Sequence, residues 1–121
     1  MRRPAAMHEL SLAGSILRLV EQAAARERFA HVRTLRLEAG KLAGVEVPAL
    51  RFALQAVAPG TCLEGAALEI DEPAGVGACA DCGASFAVQA RAEPCPRCGG
   101  VRVSCQGGDA LRVVDLIVAG G

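Results

Sequence analysis

Four of the six cysteines stand in two pairs, Cys79-x-x-Cys82 and Cys95-x-x-Cys98, with twelve residues between the pairs. Each pair is one turn whose two thiolates converge on the same side, so two such turns make a closed tetrahedral S4 site. Glycine follows the second cysteine of each pair, at Gly83 and Gly99. A positive φ there lets the turn fold back and aim backbone N–H groups at the sulfurs, while Pro96 stiffens the second turn. Thiolates in a closed tetrahedron suit zinc best, and iron also accepts S4. A pair of redox dithiols is one alternative, but it needs each pair at a helix N-terminus. Pro94, Pro96 and Gly99-Gly100 leave little room for such a helix. A zinc-ribbon nucleic-acid-binding module, with Arg91, Arg97 and Arg102 on phosphates, is another. Few stacking aromatics and a balanced charge count against it. Cys62 and Cys105 lack a partner at this spacing and read as reduced, partly buried thiols.

The second candidate is His8-Glu9, an imidazole beside a carboxylate at the start of a predicted helix, where Glu9 favours the helix dipole. By spacing alone it reads more readily as an ordinary helix start with a solvated histidine. His31, the only other histidine, reads as a loop or strand-edge residue.

The elements that must position these groups follow from periodicity. A helix is predicted over 9–28, with Leu12, Ile16, Leu19, Val20 and Ala23 on one face. Alternation of Leu35, Leu37 and Ala39 with Arg36 and Glu38 predicts a half-buried strand over 34–39. A loop over 41–47 leads to a second helix with Pro48 in its first turn, carrying Leu50, Phe52, Ala53, Leu54 and Val57 and stopped by Pro59-Gly60. Strands are predicted over 66–71 and 111–118, with the cysteine module between them. Turn-rich stretches over 73–77 and 106–108 read as hinges, so the module looks inserted between two strands of one sheet.

The 121 residues suffice for one small domain, or for a domain with a short module. Phe29, Phe52 and Phe86 are the only aromatics, so the core must be aliphatic and thin, and a structural metal would help it. Thirteen basic residues balance thirteen acidic ones, which leaves no global field to attract nucleic acid or an anionic membrane. No apolar run is long enough for a bilayer. Arg2-Arg3 ahead of an apolar stretch faintly suggests a secretory signal, but Arg18 and Glu21 interrupt that stretch and an amphipathic helix explains more of it. Cysteine pairs at metal spacing favour a reducing, cytoplasmic setting.

Met7-His8-Glu9-Leu10-Ser11-Leu12 resembles the N-terminal signature of the HypA/HybF hydrogenase-maturation family. The resemblance extends to Gly40-Lys41-Leu42-Ala43-Gly44-Val45-Glu46-Val47-Pro48-Ala49-Leu50-Arg51-Phe52-Ala53, to the cysteine module over 79–100, and to the closing strand over 111–118. It implies a nickel metallochaperone, not an enzyme, that hands Ni2+ to the large subunit of [NiFe] hydrogenase with help from a HypB-type GTPase, some relatives also serving urease. By position it makes His8 the indispensable nickel ligand, with Met7 beside it. Glu9 becomes a neighbouring ligand or specificity determinant, and Glu46 a loop carboxylate that completes the site. Cys79, Cys82, Cys95 and Cys98 hold structural Zn2+. Gly83 and Gly99 stand where some relatives carry histidine, which argues against a ligand exchange at zinc.

The expected architecture is α/β, two helices on a three-stranded sheet with an inserted zinc ribbon-like lobe. The nickel-binding domain is expected over 7–72 plus 108–119, the zinc lobe over 73–107, and an N-terminal extension over 1–6, with Met7 as the family's usual first residue. Monomer and dimer both remain open.

Overall fold

A computed structural model describes residues 4–119. Its elements are α1 (Pro4–Glu27), β1 (His31–Ala39), α2 (Val47–Val57), β2 (Ala67–Asp71), β3 (Gly75–Cys79), β4 (Ser85–Val88), β5 (Val103–Gln106) and β6 (Leu111–Ala119). They form two three-stranded sheets, ordered β2-β1-β6 and β4-β3-β5. Two helices and the first sheet are the α/β architecture that the periodicities predict.

Helix α1 begins at Pro4, not at Glu9. Proline is well placed at a first helical position, where its missing N–H goes unpaired anyway, and Ala5-Ala6 are the strongest helix formers. His8-Glu9 therefore lies inside α1, past its first turn, and the dipole argument for Glu9 falls. At the other end Arg28 takes φ 63° and donates its N–H to the Ala24 carbonyl at 2.8 Å, which closes the last turn.

The buried line of α1 is Glu9, Ala13, Ile16 and Val20, in steps of four, three and four. It is rotated from the predicted face: Leu12 and Ala23 are half-buried at its flank and Leu19 is 57% exposed. A count of apolar residues cannot place a glutamate on the core line, and that displaced the reading. Strand β1 contributes Val32, Leu35, Leu37 and Ala39 to the core, and α2 contributes Leu50, Ala53 and Leu54. Among the described residues every fully buried hydrophobic side chain is aliphatic or a cysteine, and Phe52 is 72% exposed.

The predicted hinge over 73–77 is in part strand. Gly75 opens β3, and Gly77 pairs with Phe86 of β4 and Cys105 of β5. These glycines serve close packing more than turning: a Cβ on Gly77 would lie 2.6 Å from Val88 Cγ2 and 2.9 Å from Phe86 Cε2, and one on Gly75 2.6 Å from Leu42 Cδ1.

The chain divides into two compact units. The first takes α1, β1 as far as Leu37, Val45–Ile70 and β6 from Val113; the second takes Glu38–Gly44 and Asp71–Arg112. No helix among the described residues is long and apolar enough to cross a membrane.

Candidate metal centres

In the second unit, β3 ends on Cys79 and so delivers the first knuckle directly from a paired strand. The two knuckles are built alike. Gly83 N–H donates to the Cys79 carbonyl at 2.9 Å and Cys79 N–H to the Ala84 carbonyl at 3.0 Å; Gly99 N–H donates to Cys95 and Cys95 N–H to Gly100, both at 2.8 Å. Gly83 and Gly99 have φ of 75° and 76°, the left-handed conformation that the spacing predicts and that glycine adopts without strain.

These turns bring Cys79, Cys82, Cys95 and Cys98 together, with all four Sγ atoms within 4.8 Å of one another. The short contacts run between knuckles, Cys79 to Cys98 at 3.6 Å and Cys82 to Cys95 at 3.7 Å. A disulfide needs about 2.05 Å. A tetrahedron with Zn–S of about 2.3 Å has edges of about 3.8 Å, so the spacing fits a zinc ion. Backbone donors already point at the sulfurs, from Arg97 N–H to Cys95 at 3.4 Å and from Gly100 N–H to Cys98 at 3.3 Å.

The thiols are electrostatically unequal. Desolvation opposes ionisation of Cys95, but backbone donors at Cys98 and Arg97 and the Cys82 and Cys98 thiols outweigh it and lower Cys95 to about 7. At Cys98 the Gly100 N–H favours the thiolate, yet the Cys79 thiol, desolvation and the other two cysteines push it up to about 12. With Cys95 ionised, the Cys82 and Cys98 thiols hold their protons, and a divalent cation among the sulfurs is what would let the set ionise together.

Two features of this unit lay outside the sequence reading. Arg102 donates through Nε at 2.9 Å and Nη2 at 2.6 Å to Asp81 Oδ1, and Ala80 N–H donates to the Arg102 carbonyl at 2.8 Å. Together they tie the first knuckle to the segment after the second. Arg91, a phosphate contact in the nucleic-acid alternative, donates to the Leu42 carbonyl at 3.0 Å. The same loop is held by Lys41 N–H to Pro73 at 2.8 Å and Leu42 N–H to Gly108 at 2.7 Å. Cys62 is half-buried, whereas Cys105, expected to be partly buried, is exposed.

In the first unit, His8 and Glu46 are exposed while Glu9 is buried. The Glu46 N–H donates to Glu9 Oε2 at 2.8 Å, a contact across 37 residues of sequence. Glu9 and the start of α2 are thus joined directly. The Met7 main chain lies in α1; its side chain and the expectation for the first residues of the extension fall outside the described residues. His31 opens β1 and is exposed.

A sequence model of the family described as hydrogenase/urease nickel incorporation metallochaperone HypA matches residues 7–118. A protein named hydrogenase maturation factor HypA in Cupriavidus necator is 62% identical over 112 residues, covering 93% of this chain and 94% of that one. A relative of the same name in Polaromonas naphthalenivorans is 55% identical over 113 residues, covering 93% and 98%. Among solved structures, that of the Ni metallochaperone HypA from Helicobacter pylori is similar in fold, with a TM-score of 0.62 at 20% identity over 91% of this chain and 96% of that one.

Proposed function

Because the chain belongs to the HypA family of nickel-incorporation metallochaperones, we propose that it loads Ni2+ at the N-terminal end of the first unit and carries it for [NiFe] hydrogenase maturation. Metallochaperone function in hydrogenase maturation comes with the family.

The observation that carries the nickel site is the Glu46 N–H to Glu9 bond. It ties the backbone at Glu46 to Glu9, the residue after His8 in α1, which supports a site shared by the segments that carry the two exposed ligands suggested by resemblance. His8 supplies an imidazole and Glu46 a carboxylate, both accessible, with Met7 and Glu9 serving the same site. Few, exposed nitrogen and oxygen donors suit a cargo that must be released, whereas four thiolates would trap it. Zinc bound by Cys79, Cys82, Cys95 and Cys98 would supply cross-linking that the small β4-β3-β5 sheet lacks. A HypB-type GTPase and the hydrogenase large subunit are the proposed partners, urease a further client.

Titration of Ni2+ into zinc-loaded protein and its His8→Ala variant tests the reading. Loss of about tenfold or more in affinity is expected for the variant, more than 1.4 kcal/mol of binding. Equal binding would remove His8 from the site.

A further inference from the structure

Glu9 stands on the buried line of α1 with Ala13, Ile16 and Val20, and is itself 0% exposed. Its Oε2 accepts the Glu46 N–H, and its Oε1 is buried without a hydrogen-bond partner among the described residues. Burying a carboxylate in this way is costly, so what Oε2 does must offset it.

Glu46 is the N-cap residue of α2, and no side chain caps that helix from within it. In a capping box, the glutamate three residues into the helix reaches back to the N-cap N–H. Here that position is Ala49, which cannot. Glu9 provides the same carboxylate-to-N–H bond from a different helix. The bond fixes the backbone of Glu46, whose side chain is exposed.

We infer that Glu9 is a positioning residue of the nickel site: its buried carboxylate closes the N-terminus of α2 and holds Glu46 in place beside α1, and it does not ligate nickel. An ion arriving from solvent meets His8 and Glu46. Oε1 of Glu9 is buried away from it, and Oε2 is free only if the bond to Glu46 breaks. The inference rests on the assignment of His8 and Glu46 to nickel, but the capping bond itself exists without metal and is measured separately.

The experiment follows the Glu46 amide by hydrogen exchange in zinc-loaded protein, with and without Ni2+. Metal-free of nickel, the wild-type amide is protected, and Glu9→Ala accelerates its exchange by about tenfold or more. On nickel loading the wild-type amide keeps its protection. If Glu9 bound nickel through Oε2, the carboxylate would leave the amide and protection would fall, which overturns the inference; ligation through Oε1 would leave that bond intact and shows instead as a loss of nickel affinity in Glu9→Gln. Nickel titrations add a second readout. Glu9→Gln retains an amide oxygen to accept the Glu46 N–H and keeps most of the nickel affinity that Glu9→Ala loses; equal losses in both variants overturn the positioning role. Failure of the nickel reading is distinguishable, because His8→Ala would then bind as wild type while Glu9→Ala still released the Glu46 amide.

Discussion

A single thiol shows how placement sets reactivity here. Burial pushes the Cys62 thiol up, and the negative charge of Glu21 adds to it, against a backbone donor that lowers it. Cys105 is exposed. At about pH 8, where a free thiol is partly ionised, alkylation should mark Cys105 well before Cys62, as peptide mapping would show. The stability consequence has a definite sign. The folded chain keeps the Cys62 proton to higher pH than the unfolded chain does, so its contribution is complete below the ordinary thiol range and declines as pH rises above it. Urea titrations that showed stability rising through that range would contradict this assignment. What was readable at this scale was local. The four cysteines announce their cluster because ligand spacing within a turn is a sequence property. The Glu9 to Glu46 bond spans 37 residues, and nothing in either neighbourhood marks the pairing.

At the scale of elements, the periodicities found both helices and all three strands of the β2-β1-β6 sheet. They missed the small β4-β3-β5 sheet, because its strands are four or five residues long and partly glycine. Gly77 is the sharpest case, read as a hinge and found packed against Val88 and Phe86. Gly77→Ala should destabilise this sheet by about 1–3 kcal/mol, the usual cost of overpacking, and speed zinc loss to a chelator while leaving the helical circular dichroism unchanged. A variant that releases zinc at the wild-type rate would mean that Val88 yields without cost. The early start of α1 carries a second expectation. In this chain the Met7 nitrogen is an amide inside the helix, and the His8 N–H is committed to the helical ladder. A protein beginning at Met7 would offer a free amine, which with the His8 backbone nitrogen and imidazole closes adjacent chelate rings favouring square-planar Ni2+. It should bind nickel more tightly, with a more strongly square-planar absorption spectrum, than the chain beginning at Met1. Identical affinities and spectra would exclude the amine as a ligand.

Over the whole molecule, the division into units predicts where metal removal acts. Stripping zinc should abolish exchange protection across Asp71–Arg112 while α1 and α2 retain theirs, because those helices belong to the other unit and carry its aliphatic core. Hydrogen exchange before and after chelation would show this; simultaneous loss of protection in α1 would mean that the units do not behave separately. The compact unit that holds the cysteine module includes Glu38–Gly44, a segment that joins it through backbone bonds to Pro73 and Gly108. Sequence position could not reveal that membership. The aliphatic core has one further effect. With no tryptophan or tyrosine and only three phenylalanines, the protein is almost dark in the near ultraviolet. Absorption bands of bound Ni2+ would therefore appear against a nearly blank background, while Zn2+, with its filled d shell, adds no colour, so the colour of the molecule reports its cargo alone and needs no label.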